Sequence, residues 1–232
     1  MVRAVIFDFY GTLARWADGT ASYGSVFAEH GYSLDPAVLD GYFSLYDGIE
    51  HGEHSVSEEA YEVWVRSRLR QLTREGGIDD GDAEAIVDAL RRLDEGHMEP
   101  YPEAAATLRT LRDAGLALGV CSNWGWELDA YLNQVGLLPL VDSSVTSARA
   151  GARKPHPNIY QTSVESLGVL TDDVVFVGDS WEPDVRGPRR VGMTAVHVWR
   201  EAERQGHDAP ELEPGDRRIG DLSGVLEIVG LS

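Results

Sequence analysis

Short uninterrupted apolar runs recur along the chain, and between them the apolar positions fall back to helical spacing. Ala4 to Asp8 is such a run, as is LALGVCSN, Leu116 to Asn123. DDVVFVGDS (Asp172 to Ser180), TAVHVWR (Thr194 to Arg200) and a short DRRIGDL (Asp216 to Leu222) complete the set. Runs this short with no polar alternation predict strands buried on both faces. Between them PEAAATLRTLRDAG, ELDAYLNQVGL, NIYQTSVESLG and EPDVRGPRRVG carry helical patterns, and GVLEIVGL closes the chain as a helix. Strands alternating with helices predict an α/β fold with a doubly wound parallel sheet. Ligands of such sheets bind beyond the carboxyl ends of the strands. Asp8, Ser122 and Asp179 fall at those ends.

From about Arg15 to Met98 the rhythm changes. SYGSVFAEHG, DPAVLDGYFSLYDG, SEEAYEVWVRSRLRQL and DAEAIVDALRRLDEG read as helices, with no clear strand among them. The segment 15–98 is therefore expected to be a helical-bundle cap inserted after the first strand. Residues 1–14 and 99–232 then form a Rossmann-like core, with EPYP (Glu99 to Pro102) as the return hinge. Between Trp16 and Val65 stand ten acids and no Lys or Arg. If that surface lines the pocket, it disfavours an anionic leaving group.

The bulk numbers narrow the partners. The 232 residues suffice for a sizeable core, and 43% apolar with 25% charged is ordinary for a globular protein. A net charge of −19 argues against nucleic acid and against anionic membranes. No apolar run reaches the roughly 18 residues of a spanning helix, and MVRAVIFDFYG meets an acid before any signal-like segment develops. A single cysteine, Cys121, excludes an internal disulfide framework and fits a reducing cytoplasm. The expected partner is a small-molecule substrate; oligomeric state is not legible here.

Four motifs carry the chemistry, in order: DFYGTL near the N-terminus, CSN at Cys121 to Asn123, RKPHP at Arg153 to Pro157, and GDSWEPD at Gly178 to Asp184. Together, across nearly the whole chain, they resemble the haloacid dehalogenase superfamily, in its branch with a helical cap after the first strand. The resemblance assigns Asp8, Tyr10, Thr12, Ser122, Asn123 and Lys154 to the catalytic set. It implies Asp8 as a carboxylate nucleophile whose covalent intermediate splits one hard step into two. Gly11 and Thr12 suit a tight turn where backbone approaches an anion. Ser122 offers a hydroxyl to a phosphate or carboxylate oxygen, and also suits a helix N-cap. Lys154 is the chain's one lysine among twenty Lys and Arg. A sequence that otherwise uses Arg keeps Lys where a compact ammonium is wanted. By resemblance, Lys154 holds the nucleophile and neutralises the transferring group.

Asp179 and Asp184 are spaced as in the superfamily's magnesium motif. With Asp8 and, by resemblance, the backbone carbonyl of Tyr10, they imply a Mg²⁺ site of hard oxygen ligands. Tyr10 is the discordant residue. The superfamily's phosphatases usually place an aspartate there, as general acid and then base; its 2-haloacid dehalogenases place a tyrosine. Halide leaves without a proton, whereas an alkoxide wants one, and a phenol with a pKa of about 10 is a poor base near neutrality. Yet dehalogenases of this type work without metal and use an early cap arginine, and Trp16 to Val65 has none. The balance favours a Mg²⁺-dependent phosphatase acting through an aspartyl-phosphate. A 2-haloacid dehalogenase and a weakly catalytic ligand-binding fold are the alternatives.

Other features carry less. His51 and His54 lack a third ligand and suit a solvated surface. Cys121 suits a buried small hydrophobe. DDGD at Asp79 to Asp82 reads as a turn and helix start. Trp124, Trp126 and Trp181 follow two motifs directly and are divided between pocket wall and core.

Overall fold

The computed structural model describes residues 1–44, 55–93, 96–203 and 208–231. His51 and His54, and the chain after Ser44 in the second expected helix, lie outside them. The elements run β1 (Ala4–Phe7), β2 (Ala14–Trp16), α1 (Tyr23–Glu29), α2 (Pro36–Ser44), α3 (Glu58–Glu75), α4 (Asp80–Leu93) and β3 (Met98–Pro100). They continue with α5 (Ala104–Asp113), β4 (Ala117–Ser122), α6 (Leu128–Gln134), β5 (Ser143–Thr146), α7 (Ser147–Ala150) and α8 (Pro157–Leu167). Last come β6 (Val174–Gly178), a π-helical turn (Trp181–Arg186), α9 (Gly187–Arg190), β7 (Thr194–Val198), β8 (Arg217–Ile219) and α10 (Gly224–Ile228).

Six strands form one parallel sheet in the order β5-β4-β1-β6-β7-β8. The period-2 alternation of β1 sorts its residues between two cores. Val5 and Phe7 join Leu118, Val120, Val175 and Val177 on one face, with Leu108 and Leu111 of α5 and Leu132 of α6. Ala4 and Ile6 join Phe176, Ile159 and Tyr160 on the other, under α8. α5 buries Ala104, Thr107, Leu108 and Leu111, the i, i+3, i+4, i+7 stripe of a helix against a sheet. Each fully buried Val, Ile, Leu or Phe here contributes roughly 1.5–3 kcal/mol.

β1 is flanked by β4 on one side and β6 on the other, so the chain winds outward in both directions from it. Its carboxyl end is the topological switch point, where open α/β sheets leave a crevice. Asp8 is the first residue past that end.

Helices α1, α3 and α4 close around a third cluster of their own: Val26, Phe27, Leu69, Leu72, Ile86 and Leu90. The expectation of no strand between Arg15 and Met98 is corrected at both edges. Ala14, Arg15 and Trp16 pair antiparallel with Pro100, Glu99 and Met98. This two-stranded ribbon ties the outgoing and returning chain together beside the sheet. EPYP is thus half strand; the Tyr101 amide continues the ribbon by donating to the Leu13 carbonyl. β5 was also not expected, and EPDVRGPRRVG begins as a π turn rather than a regular helix.

Candidate active site

Asp8 is positioned by the sheet itself. Its amide donates to the Val177 carbonyl at 2.8 Å, extending the β1–β6 ladder by one bond. Its carboxylate is nearly buried, and Oδ1 accepts twice: from Ser122 Oγ at 2.9 Å and from Lys154 Nζ at 2.7 Å. Ser122 ends the neighbouring strand β4, so adjacent parallel strands deliver acid and hydroxyl to one point. Asn123 works on the backbone. It donates through Nδ2 to the Lys154 carbonyl at 3.0 Å and accepts at Oδ1 from the Lys154 amide at 2.7 Å. That two-point clasp sets where the lysine side chain starts.

Lys154 Nζ also reaches Asp184 Oδ1 at 2.6 Å. Burial alone would lower the lysine's pKa, but Asp184 and Asp8 reverse the effect and raise it, so the ammonium keeps its proton. Asp184 is fully buried in the π turn. Its Oδ2 accepts from the Ser180 amide at 2.9 Å. Burial pushes its pKa up to about 7; Lys154 opposes the rise, and Asp8 and Asp179 add to it.

Ligand-type oxygens of Asp8, Asp179 and Asp184 lie within 4.8 Å of one another. Two buried carboxylates share one ammonium, and the half-buried Asp179 beside them adds further negative charge, felt at Asp184. The all-oxygen donor set and that charge fit a hard divalent cation.

Close packing holds this end of β6. A Cβ on Gly178 would stand 2.4 Å from Asp184 Cγ, and one on Gly11, at φ +78°, would stand 2.7 Å from Asp179 Cγ. Both glycines are where backbone must pass against a carboxylate.

Four supporting residues were not picked out from the sequence. Tyr160, buried on α8, donates its hydroxyl to the Pro183 carbonyl at 2.5 Å, pinning the residue before Asp184. Gly187 leaves room for that hydroxyl. His197 on β7 is buried, with its Nε2 3.0 Å from the Asp179 carbonyl and its Nδ1 3.2 Å from Arg218 Nε. Because Arg218 can only donate, Nδ1 accepts and Nε2 carries the proton to the carbonyl. Trp181 and Trp199 stand against the ring at 5.3 and 5.5 Å. Arg200 donates to the Thr12 carbonyl at 3.2 Å and to Glu103 at 2.7 Å. A His-x-Trp at the end of a strand was the one available signal for His197.

Not every expected residue joins the cluster. Thr12 is fully buried, and its hydroxyl has no hydrogen-bond partner among the described residues. Tyr10 is 46% exposed and stands at the mouth. Burial, then Asp179 and Glu203, raise its pKa, so the phenol stays protonated at neutral pH. Tyr10 and Asn123 border a cavity of about 310 Å³ beneath the helices, which also meets Trp124, Glu127, Arg91 and Arg153. Arg91 is engaged by Glu62 at 2.7 Å. Of the acids between Trp16 and Val65, Asp18, Glu29, Asp35, Asp40, Glu58 and Glu59 are exposed, and none borders this cavity. Cys121 is buried on β4, and its thiol is pushed up to about 12 by burial, which removes it as a nucleophile. Trp124 is on the cavity wall, edge-on to Phe9 at 5.4 Å, whereas Trp181 packs on His197. No described helix is long and apolar enough to cross a membrane.

Known proteins with related sequences fall on both sides of the question posed by Tyr10. Glyceraldehyde 3-phosphate phosphatase of Methanopyrus kandleri is 32% identical over 138 residues, 56% of this chain. The match spans 58% of that protein's length. (S)-2-haloacid dehalogenase 4A of Burkholderia cepacia is 32% identical over 239 residues, covering 96% of this chain and 92% of that one. Among solved structures, a HAD phosphatase from Thermococcus onnurineus superposes with a TM-score of 0.65 at 25% identity, covering 99% and 98% of the two chains. Residues 2–192 match the haloacid dehalogenase-like hydrolase family. With the parallel sheet and the acid at its switch point, this match makes the chain a member of that family of hydrolases.

Proposed function

We propose that this hydrolase is a Mg²⁺-dependent phosphatase of small-molecule phosphate monoesters. The observation that carries the reading is the convergence of the Asp8, Asp179 and Asp184 carboxylates within 4.8 Å of one another, two of them bonded to the Lys154 ammonium. Asp8, Asp179, Asp184 and the Tyr10 carbonyl would hold Mg²⁺. When bound, the ion supplies charge stabilisation to the transferring phosphoryl group. A phosphate ester brings more negative charge to this point, and only a site with a cation tolerates it.

The chain's own groups then divide the work. Ser122 and Lys154 hold Asp8 Oδ1, leaving Oδ2 to attack phosphorus. The ester P–O bond breaks, the alcohol leaves, and phosphate remains on Asp8 as an acyl phosphate. Water attacks that phosphorus, the Asp8 carboxylate departs, and inorganic phosphate is released. Lys154 offsets charge on the phosphoryl oxygens throughout. Tyr10 offers a hydroxyl to the leaving oxygen or to water. Its raised pKa makes it a weak acid and no base, so slow turnover of poor leaving groups is expected. The helices α1–α4 serve as the cap over this site.

Tyr10 and Arg153 favour the second reading, a 2-haloacid dehalogenase, in which Arg153 would receive the substrate carboxylate. A panel of phosphate esters and 2-haloacids, each with Mg²⁺ and with EDTA, separates the two. Phosphate release that EDTA stops is the expected result. Halide release indifferent to EDTA would replace this reading with the second.

A further inference from the structure

The leaving-group side of the cleft is walled by aromatic rings. Tyr10, Trp16 and Trp124 border the 310 Å³ cavity from the core, and Tyr23, Phe43 and Tyr61 face them from the helices. Trp16 and Trp124 stand 6.1 Å apart and are tilted by 34°, and Tyr10 lies 6.4 Å from Trp16, so the three rings make a continuous floor. Tyr23 and Phe43 meet edge-to-face at 5.4 Å on the opposite side. Tyr10 and Phe43 are large rings left 46% and 49% exposed, one on each wall. Exposed large rings gathered on one cavity mark a place for an apolar occupant.

The charged groups on the wall point to a neutral guest. Arg91 is spent on Glu62, bonded through Nε at 3.3 Å and Nη2 at 2.7 Å. Glu127 and Arg153 are of opposite sign. The Glu127 carboxylate lies over Gly125, close enough that a Cβ there would meet Oε1 at 2.5 Å. Such a wall offers ring faces and edges to a flat apolar group, and an anionic leaving group would meet Glu127.

We infer that the preferred substrate is the phosphate monoester of an aryl or arylalkyl alcohol carrying no second anionic group. This rests on the phosphatase reading and adds the substrate class to it. It sets the chain apart from the relative named for glyceraldehyde 3-phosphate, whose alcohol is small and polar.

The experiment compares 2-phenylethyl phosphate with ethyl phosphate in the presence of Mg²⁺. Both release a primary alkoxide, so leaving-group chemistry is matched and the ring alone differs. Burying the ring should raise kcat/KM by roughly 10- to 100-fold. Phe43→Ala and Tyr61→Ala should each bring that ratio down several-fold, while Tyr61→Phe should keep it. A ratio near one, or a preference for phosphoserine, overturns the assignment. If neither ester turns over with or without Mg²⁺, the phosphatase reading fails instead. Titration of the chain with 2-phenylethanol, followed by tryptophan fluorescence, then decides the cavity separately. Saturable quenching weakened by Phe43→Ala upholds the aromatic site, and no saturable change overturns it.

Discussion

The two walls of the cleft are built on different principles. On the sheet side three charged groups are each held from at least two directions. Asp8 is fixed by the β1–β6 ladder, Ser122 and Lys154; Lys154 by the Asn123 clasp; Asp184 by Lys154 and the Ser180 amide. On the helix side the cavity is bordered by rings that touch one another at 5–6 Å. Reaction chemistry needs atoms placed to a fraction of an ångström, and the buried polar cluster supplies that. Selection of an apolar group needs area and shape, and rings supply those with little directional demand. Substitutions on the sheet side should therefore act all-or-none, and those on the helix side should be graded.

The largest effects should come from the buried cluster. Asp8→Asn removes the charge proposed to attack, and almost no volume. Turnover should fall by at least about 10⁴ while the melting temperature stays within a few degrees. Lys154→Met is the contrasting case, because it strands Asp8 and Asp184 without their ammonium. Breaking a buried pair costs about 3–5 kcal/mol, so the melting temperature should drop by roughly 6–20 °C. On the phosphatase reading, Mg²⁺ should recover part of the loss by binding the folded chain. Equal melting curves for Lys154→Met and wild type would mean that the ion pair is not formed in solution.

Gly178→Ala should come next. The added methyl must displace Asp184 from its contact with the Ser180 amide. Mg²⁺ affinity, read by calorimetry, and activity should fall together by roughly 10²-fold, about the upper end for losing a supporting contact. Unaltered Mg²⁺ binding would show that the π turn relaxes freely.

A step further from the reacting atoms is His197, which holds the Asp179 carbonyl through Nε2. His197→Leu should weaken Mg²⁺ binding roughly tenfold. His197→Gln, which keeps an N–H donor at similar reach, should restore most of it. If both variants lose equally, the ring's packing between Trp181 and Trp199 matters and the hydrogen bond does not.

The sequence pattern conveyed the sheet side well and the rest unevenly, for reasons that are physical. Continuous apolar runs identify strands buried on both faces, so β1, β4, β6 and β7 were legible with their terminal acids and hydroxyl. β5 was not, because Ser143 and Ser144 interrupt the apolar signal at a half-buried sheet edge. β2 and β3 are three residues each, and their pairing joins positions more than eighty residues apart, which no local period reports. The same holds for Tyr160 on Pro183 and His197 on Asp179: each is an ordinary core residue in sequence and acquires its role only through tertiary contact. The acids of the helical segment left a different question open. Whether they line the pocket is not a local property, and the described ones that are exposed do not border the aromatic cavity.

Tyr10 belongs to both walls and should show the smallest, most informative effects. Its backbone lies in the turn after Asp8, and its ring forms part of the aromatic floor. A protonated phenol at the mouth gives little acid–base help, so rates should depend on how well the alcohol leaves on its own. Wild type should hydrolyse aryl phosphates, whose phenolates leave readily, faster than alkyl phosphates of similar size. Tyr10→Asp should narrow that gap by offering a proton in the first step and a base in the second, a contribution of about 10²–10⁴ at full strength. The gain should be smaller here, because a carboxylate placed beside Asp179 adds to the site's negative charge and removes a ring from the cavity floor. Tyr10→Phe keeps the ring and loses only the hydroxyl; it should change kcat/KM by less than about tenfold if the ring's packing is its main contribution. Rates measured across a series of esters for wild type and both variants give the slope against leaving-group pKa. A flat slope in wild type would mean that another acid serves the site. Loss of halide release from a 2-haloacid in Tyr10→Asp would instead mark the tyrosine as part of a dehalogenase.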